Sequence, residues 1–186
     1  QGFNNFILAV NYLGHMIEDQ MGDGSKYGVK IEYIRENIPL GTAGALSLIE
    51  NPPEEPFIVT NGDVISDIRY GDIVDFHLHH KPLATMAVRS YEWQNPFGVV
   101  KTEGIEVIAL EEKPLLRSNI NAGIYVIEPS ALSFLNKAEY IDMPTFLESL
   151  VRSDDRVAAY PMHEPWLDVG RASDLRQANN QTPSLT

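Results

Sequence analysis

Two aspartates stand where short apolar segments end in turns of small residues, and carboxylates in that setting can hold a metal ion. Asp63 closes the turn Asn61-Gly62-Asp63 after an apolar run, and Asp168 follows the apolar pair Trp166-Leu167. Mg²⁺ is commonly bound through one or two carboxylates together with phosphate and water. Asparagine, glycine and aspartate are also ordinary turn and helix-cap residues, so a purely structural role for either aspartate stays open.

The elements that would position Asp63 follow an α/β pattern in the first half of the chain. Apolar runs predict strands over 6–10 and 57–60, and alternation of apolar and polar residues predicts a strand over 29–35. Helix-like segments cover 15–21, 42–50 and 73–80. This alternating order predicts parallel strands joined by right-handed crossovers. Ligands bind at the carboxyl ends of such strands, so we expect Asp63 at the ligand edge of the sheet.

The second half of the chain predicts shorter, closely spaced strands, and therefore mixed or antiparallel additions to the sheet. The predicted strands cover 84–88, 98–101, 107–110, 123–127 and 157–160, and the predicted helices cover 130–135, 145–152 and 173–179. Ser173 is the expected N-cap of the last helix. We expect one domain over residues 1–180, followed by a disordered polar tail over 181–186.

Three further segments carry residues suited to binding a ligand. The segment Gly41-Thr42-Ala43-Gly44 stands at a helix start, where small residues and free N–H groups suit a nucleobase or a phosphate. Glu112 and Lys113 suit sugar hydroxyls and a phosphate, and Asn121 before Gly123 offers both a donor and acceptors. Each segment also has a structural explanation. The glycines of 41–44 could belong to a loop, Glu112 and Lys113 could be a solvated charged strand edge, and Asn121 could belong to a simple turn.

Composition narrows the class of protein. A chain of 186 residues with 44% hydrophobic and 22% charged residues suits one globular domain, and its net charge of −12 disfavours a nucleic-acid partner. The absence of cysteine excludes disulfides, thiolate metal sites and a cysteine nucleophile. The sequence has no apolar run long enough to cross a bilayer and no recognisable signal sequence, so we expect a cytoplasmic protein with no membrane partner.

Three histidines on a predicted helix, His77, His79 and His80, could suggest zinc. Positions i and i+2 do not share a helix face, and no second cluster of ligands accompanies them. We therefore expect structural or solvent-facing roles for these histidines.

Six motifs, taken in order, resemble those of the sugar-phosphate nucleotidylyltransferases. They are Pro39-Leu40-Gly41-Thr42-Ala43-Gly44-Ala45-Leu46, Asn61-Gly62-Asp63, Phe97-Gly98-Val99-Val100, Glu112-Lys113-Pro114, Asn121-Ala122-Gly123-Ile124-Tyr125 and Trp166-Leu167-Asp168-Val169-Gly170. The resemblance runs from about Phe6 to Asn179 and points to the branch of mannose-1-phosphate guanylyltransferases and glucose-1-phosphate nucleotidylyltransferases. Each motif alone is weak, and the ordered set carries the resemblance.

The resemblance implies a Rossmann-like, three-layer α/β nucleotidyltransferase fold with a mixed sheet. It implies an enzyme that reacts a nucleoside triphosphate with a sugar 1-phosphate to give a nucleotide sugar and pyrophosphate. By this similarity Asp63 and Asp168 would hold Mg²⁺ and Lys113 would lie near the sugar phosphate. The segment Gly41-Thr42-Ala43-Gly44 would line the nucleobase, and Glu112, Asn121 and Gly123 would face the sugar. Bacterial polysaccharide biosynthesis fits this reaction, and a homo-oligomer is compatible with it.

Members of this family begin with a strand and a glycine-rich loop, bearing an arginine and followed by a lysine, that grips the triphosphate. Nothing of that kind occurs before Phe6, so we expect an N-terminally truncated form of the fold and weak or absent turnover by these residues alone. A catalytically silent sensor or assembly module that binds nucleotide sugars is the main alternative. A metal-dependent glycosyltransferase ranks lower, because its usual Asp-x-Asp motif is not seen near a suitable strand end.

Overall fold

The computed structural model describes residues 1–170. In chain order they form β1 (Asn5–Val10), α1 (Gly14–Met21), β2 (Lys30–Arg35), α2 (Gly41–Gly44), β3 (Phe57–Thr60), β4 (Val64–Ser66), α3 (Tyr70–His80), β5 (Ala84–Gln94), β6 (Val99–Glu103), β7 (Glu106–Glu111), β8 (Leu115–Ile127), α4 (Met143–Arg152), β9 (Val157–Pro161) and β10 (Trp166–Asp168). Short 3₁₀ segments cover Ser25–Tyr27, Ala45–Leu48 and Pro129–Phe134. The predicted helix over 173–179 and the predicted tail over 181–186 lie outside the described residues.

The first two strands form a parallel pair, as the alternation of strands and helices predicts. Asn5 lies opposite Lys30 and Val10 lies opposite Arg35, with α1 making the crossover. The helix predicted over 42–50 is wrong in its extent, because regular α-helix ends at Gly44 and a 3₁₀ segment follows to Leu48. Two glycines within four residues make this a poor α-helical sequence, which limits its length.

A four-stranded mixed sheet in the order β3-β8-β5-β9 forms the centre of the molecule. Strand β8 pairs antiparallel with both β3 and β5, whereas β9 pairs parallel with β5. The prediction of an α/β fold with a mixed sheet is confirmed. The prediction that Asp63 follows a strand with parallel partners is wrong, because within residues 1–170 β3 pairs only with β8. A strand's own sequence does not specify which neighbour it finds.

Residues 122–127 of the central strand β8 are buried on both faces, which gives the molecule three layers. Tyr125 and Ile127 pack in one apolar cluster with α4, whereas Ile124 and Val126 pack in a second cluster with α3. Successive side chains of a strand point to opposite faces, so one continuous apolar run serves both clusters. The helices α3 and α4 therefore cover opposite faces of the sheet.

His77 is a structural residue of α3, whereas His79 and His80 are exposed. The His77 ring is fully buried, with Nδ1 2.8 Å from Thr85 Oγ1 on β5 and Nε2 3.2 Å from Glu128 Oε1 beyond β8. These polar contacts hold α3 against the sheet. Among the described helices, none is both long enough and apolar enough to cross a membrane.

Candidate active site

A short antiparallel ribbon brings Asp63 and Asp168 together. Strand β4 follows directly after Asp63, strand β10 ends on Asp168, and the register places Asp168 opposite Val64. Beyond the last pair, the Val169 N–H donates to the carbonyl oxygen of Asp63 at 2.9 Å. The two aspartates are thus backbone neighbours, although they are more than a hundred positions apart in the sequence.

The side chains of the two aspartates also converge, next to Gly170. A methyl group added at Gly170 would lie 3.0 Å from Asp168 Oδ1 and 3.1 Å from Asp63 Oδ2. Because both oxygens are this close to the same methyl position, the distance between Asp63 Oδ2 and Asp168 Oδ1 cannot exceed the sum of the two distances. The Gly170 N–H donates to Asp168 Oδ1 at 2.9 Å, which orients that carboxylate.

The ribbon is attached to the central sheet by hydrogen bonds to backbone carbonyls. The Trp166 indole Nε1–H donates to the carbonyl of Ala122 on β8 at 2.8 Å. From β5, Arg89 Nη1 donates to the carbonyl of Glu164 at 3.2 Å, just before β10. Trp166 also packs against the apolar cluster that includes Ile124. These contacts hold the Asp168 side of the site in register with the sheet.

The paired carboxylates fit a divalent cation that keeps open positions for other ligands. Both aspartates are exposed, and no lysine, arginine or histidine of residues 1–170 forms an ion pair with either one. No group of three or more histidine, cysteine or acidic side chains within that range could enclose a metal. Two carboxylates completed by phosphate oxygens and water match the ligand preference of Mg²⁺.

The segment Gly41-Thr42-Ala43-Gly44 has a structural function in the fold. The N–H groups of Ala43 and Gly44 donate to the carbonyl of Ile141 at 3.0 and 3.1 Å, and the Thr42 N–H donates to Asp142 Oδ1 at 3.2 Å. Three of the donors expected to be free are therefore occupied. Nucleobase contact stays a prediction, and Ala43 and Gly44 are themselves buried.

The two glycines of this segment allow the chain before α4 to approach closely. A methyl group at Gly41 would lie 2.7 Å from the carbonyl oxygen of Ile141, and one at Gly44 would lie 2.6 Å from that of Glu139. Both distances are shorter than side-chain contacts in proteins allow. Gly41 also has a φ of +76°, a backbone conformation that favours glycine. Gly41 and Gly44 thus leave space for the chain segment that precedes α4.

Thr42 and Asp142 cap each other's helices. Asp142 Oδ1 accepts the N–H of Thr42 in α2, and Thr42 Oγ1 accepts the N–H of Met143, the first residue of α4, at 2.8 Å. Each side chain satisfies a backbone donor that has no partner within its own helix. The hydroxyl of Thr42 is therefore engaged in holding α4.

The segment around Asn121 contacts the turn that carries Asp63. Asn121 Oδ1 accepts the N–H of Gly123 at 2.9 Å, which holds Gly123 at a φ of +72°. The Gly123 carbonyl accepts the N–H of Asn61 at 2.9 Å, and a methyl group at Gly123 would lie 2.9 Å from Asn61 Nδ2. Gly123 thus leaves space for Asn61, and two of the sequence motifs meet directly.

The amide of Asn121 also donates from Nδ2 to the hydroxyl of Tyr125 at 2.7 Å. Burial raises the pKa of that hydroxyl above its ordinary value, and the hydrogen bond from Asn121 opposes the rise. An asparagine amide has two N–H groups and two lone pairs, so the hydrogen bonds of Asn121 within residues 1–170 leave one of each for a ligand. Sugar contact by Asn121 stays a prediction.

Glu112 and Lys113 lie in the exposed turn between β7 and β8. Lys113 has a φ of +44°, which is unusual for a residue with a side chain. A methyl group at Gly98 would lie 3.2 Å from Glu112 Oε2, so these two motifs also meet. Within residues 1–170, no hydrogen bond or ion pair joins this turn to the two aspartates, and the roles of Glu112 and Lys113 stay predictions.

Two clefts lie away from the paired aspartates. One, of about 390 Å³, is lined by residues that include Lys81, Glu128 and Arg156. The other, of about 410 Å³, lies between β2 and the segment that begins at Leu48. Neither is lined by Asp63 or Asp168, which are both exposed.

Sequence reasoning missed the contributions of Gly170, Asp142 and Tyr125. Gly170 had a signal, since glycine follows Asp168 by two residues within the last of the six motifs. Asp142 precedes Met143-Pro144, a pattern typical of a helix start, but its partner Thr42 lies 100 positions away. The sequence placed Tyr125 in an apolar strand but gave no sign that its hydroxyl contacts Asn121.

The fold and the site together define a nucleotidyltransferase-like architecture. HddC from Yersinia pseudotuberculosis superimposes with a TM-score of 0.70 at 22% identity, covering 96% of this chain and 79% of HddC. A UDP-glucose pyrophosphorylase solved with UDP-glucose gives a TM-score of 0.64 at 16% identity, covering 95% of this chain and 80% of that one. These likenesses establish the fold.

The chain belongs to the nucleotidyl transferase family, whose model matches residues 1–184. Similar proteins include the mannose-1-phosphate guanylyltransferase catalytic subunit beta of Dictyostelium discoideum, 33% identical over 185 residues that cover 94% of this chain and 50% of that protein. The mannose-1-phosphate guanyltransferase beta-A of Xenopus laevis is 33% identical over 186 residues, with the same coverage. The chain thus spans about half the length of the curated relatives it matches.

Proposed function

We propose that the protein containing this chain transfers a nucleotidyl group from a nucleoside triphosphate to a sugar 1-phosphate, releasing pyrophosphate. The observation that carries the proposal is the convergence of Asp63 Oδ2 and Asp168 Oδ1 on Gly170, in a chain of the nucleotidyl transferase family. In this proposal the two carboxylates hold Mg²⁺. The bound cation would neutralise charge on the phosphate oxygens.

The reaction needs placement of its substrates and no covalent intermediate on the protein. An oxygen of the sugar phosphate attacks the α-phosphorus, and the bond from that phosphorus to the departing pyrophosphate breaks in line with the attack. In the proposed arrangement Lys113 places its ammonium group beside the sugar phosphate. Glu112 accepts hydrogen bonds from sugar hydroxyls, and Asn121 uses its remaining donor and acceptor.

We propose GTP and mannose 1-phosphate as the first substrate pair to test, because similar proteins carry the name mannose-1-phosphate guanylyltransferase. The nucleobase would contact the surface of Gly41 and Thr42, since Ala43 and Gly44 are buried. The N–H of Thr42 is already engaged with Asp142, so base recognition draws on other groups.

Pyrophosphate release with a matrix of substrates tests the proposal. GTP, dTTP, UTP and ATP would each be combined with mannose 1-phosphate and glucose 1-phosphate, using the full natural protein and residues 1–186 separately. We expect Mg²⁺-dependent turnover by the full protein with at least one pair. Asp63→Asn and Asp168→Asn should each lower that turnover by roughly 100-fold or more, since each removes charge that neutralises the cation.

Asp75→Asn is the matched control, because Asp75 is an exposed aspartate on α3. It removes the same charge elsewhere and should leave turnover unchanged. Binding of a nucleotide sugar without turnover of any pair by the full protein would contradict the proposal and favour a sensor. Full activity in both Asp63→Asn and Asp168→Asn would show that the two carboxylates are not needed for catalysis.

A further inference from the structure

Among the glycines of residues 1–170, Gly170 is the one whose missing side chain would meet two carboxylates. At Gly24, Gly41 and Gly44 an added methyl group would collide with backbone oxygens. Chain neighbours aside, the atoms of residues 1–170 within 4 Å of a methyl group added at Gly170 are Asp168 Oδ1 and Asp63 Oδ2. The space left by Gly170 is therefore bordered by the two carboxylates.

A positive φ does not account for glycine at this position. The φ of Gly170 lies outside the left-handed region, so φ itself does not require glycine here. The backbone N–H of Gly170, which holds Asp168 Oδ1 at 2.9 Å, would also be present in any residue except proline. The feature particular to glycine here is the absence of a Cβ atom.

We propose that Gly170 is a positioning residue for the divalent cation, a role that rests on the proposed function. Its N–H orients the Asp168 carboxylate, and its lack of a side chain leaves Asp168 Oδ1 and Asp63 Oδ2 open to one ion. A methyl group at 3.0 and 3.1 Å from these oxygens would force them to move and would occupy space needed by the ion or its water ligands. Mg²⁺ demands near-ideal octahedral geometry, so it tolerates such crowding poorly.

The test compares Gly170→Ala with Gly62→Ala. Gly62 stands next to Asp63 and has a φ outside the left-handed region. Chain neighbours aside, no atom of residues 1–170 lies within 4 Å of a methyl group added there. Mn²⁺, which shares the preference for oxygen ligands, would be titrated alone and followed by the electron paramagnetic resonance of the free ion. Gly170→Ala should weaken Mn²⁺ binding by about 10-fold or more, the range found for residues that orient metal ligands, whereas Gly62→Ala should bind as the wild type.

Asp63→Asn and Asp168→Asn separate failure of this inference from failure of the proposed function. If Mn²⁺ binding is absent from the wild type, or is unaffected by both aspartate substitutions, the metal site itself is wrong. If the aspartate substitutions abolish binding and Gly170→Ala binds normally, the role of Gly170 alone is overturned.

A thermal measurement covers the case in which Gly170→Ala is less stable. Stabilisation by a bound ion depends on its concentration relative to Kd, whatever the starting stability. The increase in Tm on adding Mn²⁺ should therefore be smaller in Gly170→Ala than in the wild type and Gly62→Ala. Equal increases in all three proteins would overturn the inference.

Discussion

At the scale of single residues, backbone conformation separates two kinds of role. Glycine at 41 and 123 satisfies a positive φ and a close contact at once, so packing explains both positions. Lys113 adopts a positive φ of +44° with a full side chain in the motif that the family resemblance places at the sugar phosphate. Leu13, Lys81, Ala138 and Asp154 also have a positive φ, so the proposed role of Lys113 rests on the family resemblance, and its conformation supplies a way to test that role.

Replacing Lys113 by glycine should relieve strain and remove function together. The left-handed conformation costs an L-residue about 1 kcal/mol, so Lys113→Gly should raise the free energy of unfolding by up to about that amount. Lys113→Ala should give no such increase. Both variants should lose most nucleotidyl transfer in the full natural protein, since the ammonium group is gone. Denaturant unfolding and pyrophosphate release measure the two effects.

Lys81→Gly is the control for this pair of variants. Lys81 has a φ of +49° just after α3, where its N–H donates to the carbonyl of His77 at 2.8 Å. It should gain similar stability and keep full turnover. Normal activity in Lys113→Ala would show that the lysine is not needed for transfer.

At the scale of elements, helices α2 and α4 depend on each other at their first residues. Thr42 caps α4 and Asp142 caps α2, and the carbonyl of Ile141 accepts two more N–H groups of α2. Because α4 also buries Phe146 and Leu150 in the core, this joint connects α2, the segment predicted to line the nucleobase, to the interior. A short helix such as α2 has little stability of its own.

Thr42→Val should destabilise this joint by about 1 kcal/mol, because the Met143 N–H loses its acceptor while the side-chain volume is nearly kept. Thr42→Ser keeps the hydroxyl and should stay close to the wild type. Urea unfolding of the three proteins measures the differences. Equal stability of Thr42→Val and the wild type would mean that the cap is not formed in solution.

At the scale of the whole molecule, burial is unevenly distributed between its sheets. In the β1–β2 pair, Val10 and Ile31 are the buried residues, whereas β8 is buried continuously from Ala122 to Ile127. The described backbone hydrogen bonds of β1 and β2 do not join them to the four-stranded sheet. Regions with few buried apolar contacts open locally at lower free energy than the core.

Hydrogen exchange should therefore divide residues 1–186 into a slow centre and a faster pair of strands. Amides of β1 and β2 should exchange roughly 10-fold faster or more than those of β8, because local opening exposes them without global unfolding. Strand β9, which is paired on one side to β5, is the reference for an edge strand of the main sheet. Mass spectrometry of peptides after timed exchange gives the rates. Protection of β1 equal to that of β8 would contradict this division.

Local patterns predicted much of the architecture from the sequence. Alternation and apolar runs located β1, β2, β3 and α3 closely, because strand and helix periods are properties of neighbouring residues. They did not predict β4 and β10, which are only three residues each and are defined by pairing with one another. The ordered motifs identified the family for the same local reason, since each motif is a few adjacent residues.

The sequence by itself determined the family, the α/β class and the two aspartates as candidates for a metal site. Only the tertiary structure decided that β3 pairs antiparallel with β8, that the N–H groups of α2 are used by Ile141 and Asp142, and that the two carboxylates converge beside Gly170. The physical reason is that pairing and side-chain approach join residues from 64 to more than 100 positions apart. A local pattern predicts which element a segment can form, whereas packing of the whole chain determines which other segment it pairs with.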